Sequence, residues 1–186
     1  MGARATPQPR TRKIGVHQKG GTTTEPEKPT YRRATINDID SLVEYRIRFL
    51  KERAARKGHV PKEAETRILK ENLREYFSKA IPSHDFIALL AEKNGKIIGT
   101  GALVVWQSPP KYGGLQSGRA GYILNLYTVP EARGMGVCTH LLNELIKDAK
   151  TLGLKYLHLR ATKDGINIYK KAGFKEPGDQ ELQTTL

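Results

Sequence analysis

The sequence predicts an α+β domain in three layers, a sheet flanked by helices, and three observations carry that expectation. Two β-rich runs, 86–92 and 96–106, meet at Asn94-Gly95, the strongest short-range hairpin signal, so antiparallel pairing follows. Two amphipathic helical patterns precede them. After them a strand passes through a glycine-rich turn into a third helix.

The chain has 186 residues, of which 38% are apolar, which suits one ordinary domain with a real core. Residues 1–29 are rich in Pro, Thr, Gly and Arg, hold few aliphatics and show no period. They are expected to be a disordered leader or expression remnant before a domain at 30–186. The leader also matches the Met-Gly-x-x-x-Ser/Thr acylation pattern and the Arg-rich composition of transit peptides. No run approaches the roughly 18 consecutive apolar residues of a membrane span, and no apolar signal region follows the N-terminus, so a cytoplasmic protein without a membrane partner is expected. A single cysteine, Cys138, excludes an internal disulfide framework and a cysteine cluster for zinc, and no metal is expected. The formal charge of +13 makes an anionic partner one to consider, whether nucleic acid, an acidic membrane face or a phosphorylated cofactor. Residues 1–30 hold six Lys or Arg against Glu25 and Glu27, and the remainder holds 26 against 17, so the basicity is spread through the chain.

From Tyr31 a short strand reaches Ile36, and Asn37 or Asp38 is the expected N-cap of a helix to about Glu52. Its apolar stripe is Ile39, Leu42, Val43, Phe49 and Leu50, and Arg46 falls inside it. Such an arginine either packs its stem and sends its head to water or points its guanidinium into an acceptor pocket. Pro61 opens a second helix whose stripe is Ala64, Ile68, Leu69, Leu73 and Phe77, and Pro82 ends it. The loop 107–118, with Pro109-Pro110 and Gly113-Gly114, is a candidate substrate lid. A strand at 119–129 precedes a helix that begins near Gly134 and ends at Gly153. A strand at 154–160, a short helix at 163–172 and at most one further short strand complete the chain.

The strand, glycine turn and helix aim unpaired backbone N–H groups at one point, with the positive end of the helix dipole behind them. Pyrophosphate suits that place. Gly134 and Gly136 remove Cβ atoms that would block its approach, Arg133 adds a cation and Thr139 a hydroxyl. The Walker pattern Gly-x-x-x-x-Gly-Lys-Ser/Thr is absent. Gly-x-Gly-x-x-Gly fails because Thr139 stands at the third glycine, and no acid lies about 20 residues on.

The segment 122–142, Tyr-Ile-Leu-Asn-Leu-Tyr-Thr-Val-Pro-Glu-Ala-Arg-Gly-Met-Gly-Val-Cys-Thr-His-Leu-Leu, resembles the acetyl-CoA-binding motif of the GNAT superfamily of N-acetyltransferases. Ala161-Thr162 through Gly165 to Ile168-Tyr169-Lys-Lys-Ala-Gly-Phe174 resembles that family's downstream motif, and the likeness spans roughly 31–186. It implies a mixed, mostly antiparallel sheet of six to seven strands flanked by helices and splayed between its fourth and fifth strands. It also implies an acyltransferase with acetyl-CoA as co-substrate. Leu126, Tyr127, Thr128 and Val129 would then offer main-chain groups to the acetyl and pantetheine arm. Arg133, Gly134, Met135, Gly136, Val137, Cys138 and Thr139 would hold the pyrophosphate, with a further contact from Thr162. Tyr169 would be the general acid, its plainer alternative being a helix tyrosine packed on Phe174.

Three positions depart from the family pattern. Cys138 stands where Gly or Ala is usual, at a helix N-terminus that favours thiolate but also on the helix's apolar face. Thr162 replaces an Asn that often lies seven residues before the tyrosine. The strand 119–129 has no carboxylate to act as base; Asn125 is its one side-chain amide, placed to orient the amine. Deprotonation would then go through water or an acid elsewhere, such as Glu44, Asp85 or Glu92. The expected reaction is acetyl transfer by direct attack of a primary amine on a small or amino-acid-like acceptor, with Arg46 toward an anionic group of that acceptor. A protein or peptide acceptor is the alternative, then a CoA-sensing or nucleic-acid-binding module without turnover; nucleic acid is disfavoured because no aromatic-interleaved basic patch occurs. A homodimer is compatible with this reading.

Overall fold

The computed structural model describes residues 1–2, 27–110, 112, 117–178 and 184. The expected leader, with its acylation and transit patterns, lies almost wholly outside them, as does the middle of the candidate lid. The ends of that loop are tied, Ser108 N–H donating to the Gly118 carbonyl at 2.8 Å.

Five strands form one sheet in chain order: β1 (Thr30–Arg33), β2 (Phe86–Lys93), β3 (Lys96–Gln107), β4 (Arg119–Thr128) and β5 (Leu157–Leu159). The first three pairings are antiparallel and β4 with β5 is parallel. The described strands are thus fewer than the six to seven expected, while the mixed, mostly antiparallel character holds. The hairpin turns at Asn94 and Gly95, with φ of 51° and 67°, the left-handed values that a two-residue turn between twisted strands requires.

Alternation along β2 buries both faces of the sheet. Phe86, Ala88 and Leu90 face α1 (Ile39–Ala55) and α2 (Glu63–Ala80), where Leu42, Val43, Ile47 and Phe77 cover them. Ile87, Leu89 and Ala91 face α3 (Val137–Thr151), which contributes Val137, Leu141, Leu142, Leu145 and Ala149. The last helix, α4 (Ile166–Lys171), packs Ile168 and Tyr169 on the edge of this second cluster.

The helix boundaries differ from expectation in instructive ways. Asp38, one of the two expected N-caps, does stand at the N-cap position of α1, but its side chain makes no cap bond to that helix, and the capping side chain is Thr35, one 3₁₀ turn earlier. Its hydroxyl accepts from Asn37 N–H, and Asp38 reaches back to Thr35 N–H at 2.7 Å, a capping box around a single 3₁₀ turn before α1. In α2 the expected core residues Ile68 and Leu69 stay exposed, because only the second half of the helix reaches the sheet through Phe77. The strand expected at 154–160 shrinks to three residues, for want of a partner: β4 pairs with it only at Gly121, Tyr122 and Ile123.

That short pairing positions the site. Opposite Gly101 of β3, β4 carries two residues, Asn125 and Leu126, a bulge at which Asn125 adopts φ 54°. Asn tolerates this region better than other non-glycine residues. Beyond the bulge β4 has β3 on one side and, among the described residues, no strand on the other.

Candidate active site

The bulge changes which residues of β4 face the open edge. Gly121 N–H bonds to Tyr156 on the β5 side, so Gly121 and Ile123 turn their main-chain groups there. After the extra residue the parity switches: Val129 N–H goes to Ile98 and Tyr127 sits opposite Thr100 of β3, leaving Leu126 and Thr128 toward the gap. Thr100 hydroxyl fastens the bulge by donating to the Asn125 carbonyl at 3.1 Å.

A cleft of about 160 Å³ opens along this edge, lined by Phe49, Glu52, Arg53 and Arg56 from α1 and its end, Leu126 to Thr128 from β4, Arg133, Cys138, Thr162, Asp164, Gly165, Ile168 and Tyr169. A larger cavity, about 420 Å³, lies at the opposite end of the sheet beside Arg33, Phe86 and Asp148 and holds no sequence-predicted site residue. The smaller one therefore has the chemistry. Thr128, which lines it, has a buried hydroxyl with no hydrogen-bond partner among the described residues, which is unusual for a native side chain.

At one end of the cleft α3 starts. His140 N–H is the first to bond back, to the Gly136 carbonyl at 3.0 Å, and no side chain caps the helix, so the N–H groups of Val137, Cys138 and Thr139 stay available. Gly136 has φ 79°, and a Cβ built there meets nothing within 4 Å, so the space over the helix mouth is open. Gly134, Met135 and Thr139 are exposed beside it; Val137 turns its side chain into the core and offers only its main chain. Arg133 reaches back, Nε donating to the Thr128 carbonyl at 3.2 Å and Nη2 to Glu52 at 2.6 Å.

Tyr169 is half-buried and meets Phe174 edge-on, with ring centroids 6.2 Å apart, so the packing role holds while the same ring lines the cleft. Burial, with the Cys138 sulfur nearby, pushes its phenol up to about 12, and it stays protonated at neutral pH. Burial likewise pushes the Cys138 thiol up to about 11, outweighing the helix N-terminus, so the neutral small side chain prevails over a thiolate. Thr162 accepts from Gly165 N–H at 3.3 Å.

Arg46 does not reach for water. Its guanidinium lies 5.7 Å from the centre of the Phe49 ring and donates to the side-chain oxygen of Asn125. The three acids weighed as bases are engaged elsewhere, Glu44 with Arg48 at 2.5 Å, Asp85 with Arg119 at 3.5 Å and Glu92 with Arg32 at 2.7 Å. None lines the cleft. The carboxylates that do are Glu52 and Asp164, both missed in the sequence because they sat in an unremarkable charged helix end and a loop. Glu52 accepts from Tyr127 hydroxyl at 2.5 Å as well as from Arg133; burial raises its carboxyl, but these two donors outweigh burial and leave it below its ordinary value. Asp164 pairs with Arg56 at 2.5 Å.

A family model described as the acetyltransferase (GNAT) family matches residues 45–174, a span that includes most of α1, the bulged strand, the α3 turn and Tyr169. The chain belongs to the GNAT acetyltransferase family. Among solved structures, a predicted acetyltransferase from Clostridium acetobutylicum, crystallised with acetyl-CoA, is similar at 32% identity and TM-score 0.74, covering 84% of this chain and 96% of that one. A GCN5-related N-acetyltransferase from Ralstonia eutropha JMP134 matches at 20% identity and TM-score 0.73, over 84% and 99% of the two chains. Glucosamine-6-phosphate N-acetyltransferase from Arabidopsis thaliana shares the fold at 17% identity and TM-score 0.60, over 85% and 99%. No curated protein matches the sequence.

This GNAT protein is thus an N-acetyltransferase, and its family uses acetyl-CoA. The cleft suits that co-substrate: a mostly apolar gap along β4 ends at an uncapped helix N-terminus that has room for a pyrophosphate. Among the described residues no helix is long and apolar enough to cross a membrane, and no cluster of His, Cys, Asp or Glu is arranged to hold a metal ion.

Proposed function

We propose that this chain transfers an acetyl group to a primary amine of a small or amino-acid-like acceptor, by direct attack within the cleft between β4 and α4. The observation that carries this reading is the convergence of the open edge of β4, the α3 N-terminus and the Tyr169 phenol on one cavity.

Acetyl-CoA, when bound, supplies an activated thioester. The free N–H groups of Gly136 to Thr139 and the Arg133 guanidinium hold its pyrophosphate, while Leu126 and Thr128 present main-chain groups to the arm and the carbonyl oxygen. Tyr127 and Val129 act through position, one tying β4 to Glu52 and the other to β3. Tyr169, protonated and facing the cleft, gives its proton to the departing sulfur. Asn125 orients the acceptor beside the thioester. Because Glu52 is held by two donors and Asp164 by Arg56, neither is a free base, and the amine's proton leaves through water.

The test is mass spectrometry of an amine panel incubated with acetyl-CoA, alongside calorimetric titration of CoA. Acetylated amine with release of one free thiol per product is expected. CoA binding with no amine product across the panel would overturn the assignment of the acceptor.

A further inference from the structure

On the face of α1 that looks toward β4, Arg46, Phe49 and Arg53 follow at the spacing of one helical side. Neighbouring charges on this helix and at its end are matched: Arg48 with Glu44, Glu52 with Arg133 and Arg56 with Asp164. Among the described residues Arg46 and Arg53 have no carboxylate, and they lie close enough to repel each other. Holding a half-buried guanidinium near a like charge, with a neutral amide and an aromatic ring beside it but no carboxylate, is costly unless an anion completes the site.

What surrounds Arg46 can donate. Arginine only donates, so Asn125 must turn its oxygen to Arg46, which leaves both side-chain amide hydrogens free. The phenols of Tyr76 on α2 and Tyr122 on β4 stand within electrostatic range of the same guanidinium. Arg46 and Asn125 stand just behind the cleft, whose lining includes their neighbours Phe49, Arg53 and Leu126, so an anion held at Arg46 sits beside the open edge of β4.

Resting on the acetyl transfer proposed above, we infer that Arg46 and Arg53, with the Asn125 amide, form a subsite for the carboxylate of an amino-acid acceptor whose amine lies a few bonds from that carboxylate. Phe49, between the two arginines, floors the subsite with an aromatic ring. Long peptides, whose carboxylate is remote from the reacting amine, cannot use it.

The experiment compares free amino acids with their carboxamides, their decarboxylated amines and tripeptides of the same N-terminal residue, following thiol release. Wild-type enzyme is expected to favour the free amino acid in kcat/KM by about 10- to 100-fold, the range of a charge-assisted hydrogen bond. Arg46→Ala should erase the preference for acid over carboxamide while CoA binds unchanged; Arg46→Lys, which keeps the charge, should retain part of it. Equal turnover of acid and amide by the wild type would overturn the subsite alone, as would a preference that survives in the Arg46→Ala, Arg53→Ala double variant. Failure of every amine to react would overturn the acceptor assignment and the subsite together.

Discussion

Arg133 crosses the mouth of the cleft to Glu52, 2.6 Å away, so the cation expected to meet a pyrophosphate already has a carboxylate beside it. Both side chains are partly exposed, 45% for Arg133 and 32% for Glu52, and solvent screens the pair. The arrangement holds Arg133 in place at the cost of lowering the positive potential at the turn.

Glu52→Gln removes that negative charge and keeps an oxygen for the Tyr127 hydroxyl. We expect CoA to bind about two- to fivefold more tightly at low salt, a gain that shrinks as ionic strength rises. Calorimetry at two salt concentrations measures it. Weaker binding at both would mean that Glu52 acts by orienting Arg133.

Tyr169→Phe keeps the edge-on contact with Phe174 and removes only the hydroxyl. A fall in kcat of about 100-fold or more, with CoA affinity unchanged, is expected for loss of a general acid. With its phenol pushed up to about 12, wild-type Tyr169 stays protonated through the working range, so kcat/KM should rise with pH along the titration of the acceptor amine. It should show no falling limb below about pH 10. A limb near neutrality that ignores the acceptor's pKa would point to an enzyme base instead.

Gly136→Ala places a side chain at φ 79°, at a cost to stability of about 1 to 2 kcal/mol, and stands a methyl group in the open space before α3. CoA affinity should fall more than the fold loosens. Thermal unfolding and calorimetry of the same variant separate the two, and unaltered CoA binding would remove the α3 turn from the site.

Asp38 accepts two hydrogen bonds from Arg32, at 2.7 and 2.8 Å, and these chiefly hold its carboxyl at about 2 against an ordinary 3.8. Because the folded value lies below the unfolded one, the stabilisation, about 2 kcal/mol, is complete above about pH 4 and is lost as pH falls toward 2. Asp38→Asn should therefore be less stable at neutral pH, and its deficit should close over that acid range. A deficit independent of pH would assign Asp38 a capping role alone.

Most of the architecture was legible because local chemistry and tertiary structure agree. Asn94-Gly95 set the hairpin, and the periodicities of α1 and α3 set their buried faces. Where a segment's fate depends on a partner, local pattern misleads: Ile68 and Leu69 repeat as a core stripe but have no sheet beneath them, and the strand at 154–160 pairs only where β4 stays regular. Thr35 was passed over as a cap because the intervening turn is 3₁₀, which moves the start of the helix away from the capping side chain.

By itself, the sequence determined the glycine turn from Arg133 to Thr139 at the start of α3 and its separation from Tyr169, since both depend on residues close in the chain whose backbone needs are local. Only the tertiary structure decided what faces them. The bulge at Asn125, the orphan hydroxyl of Thr128, the Glu52 clamp and the bond from Arg46 to Asn125 join residues up to 81 positions apart. Such contacts arise from packing α1 against the free half of β4, and no period or motif in one segment encodes which side chain the other will present.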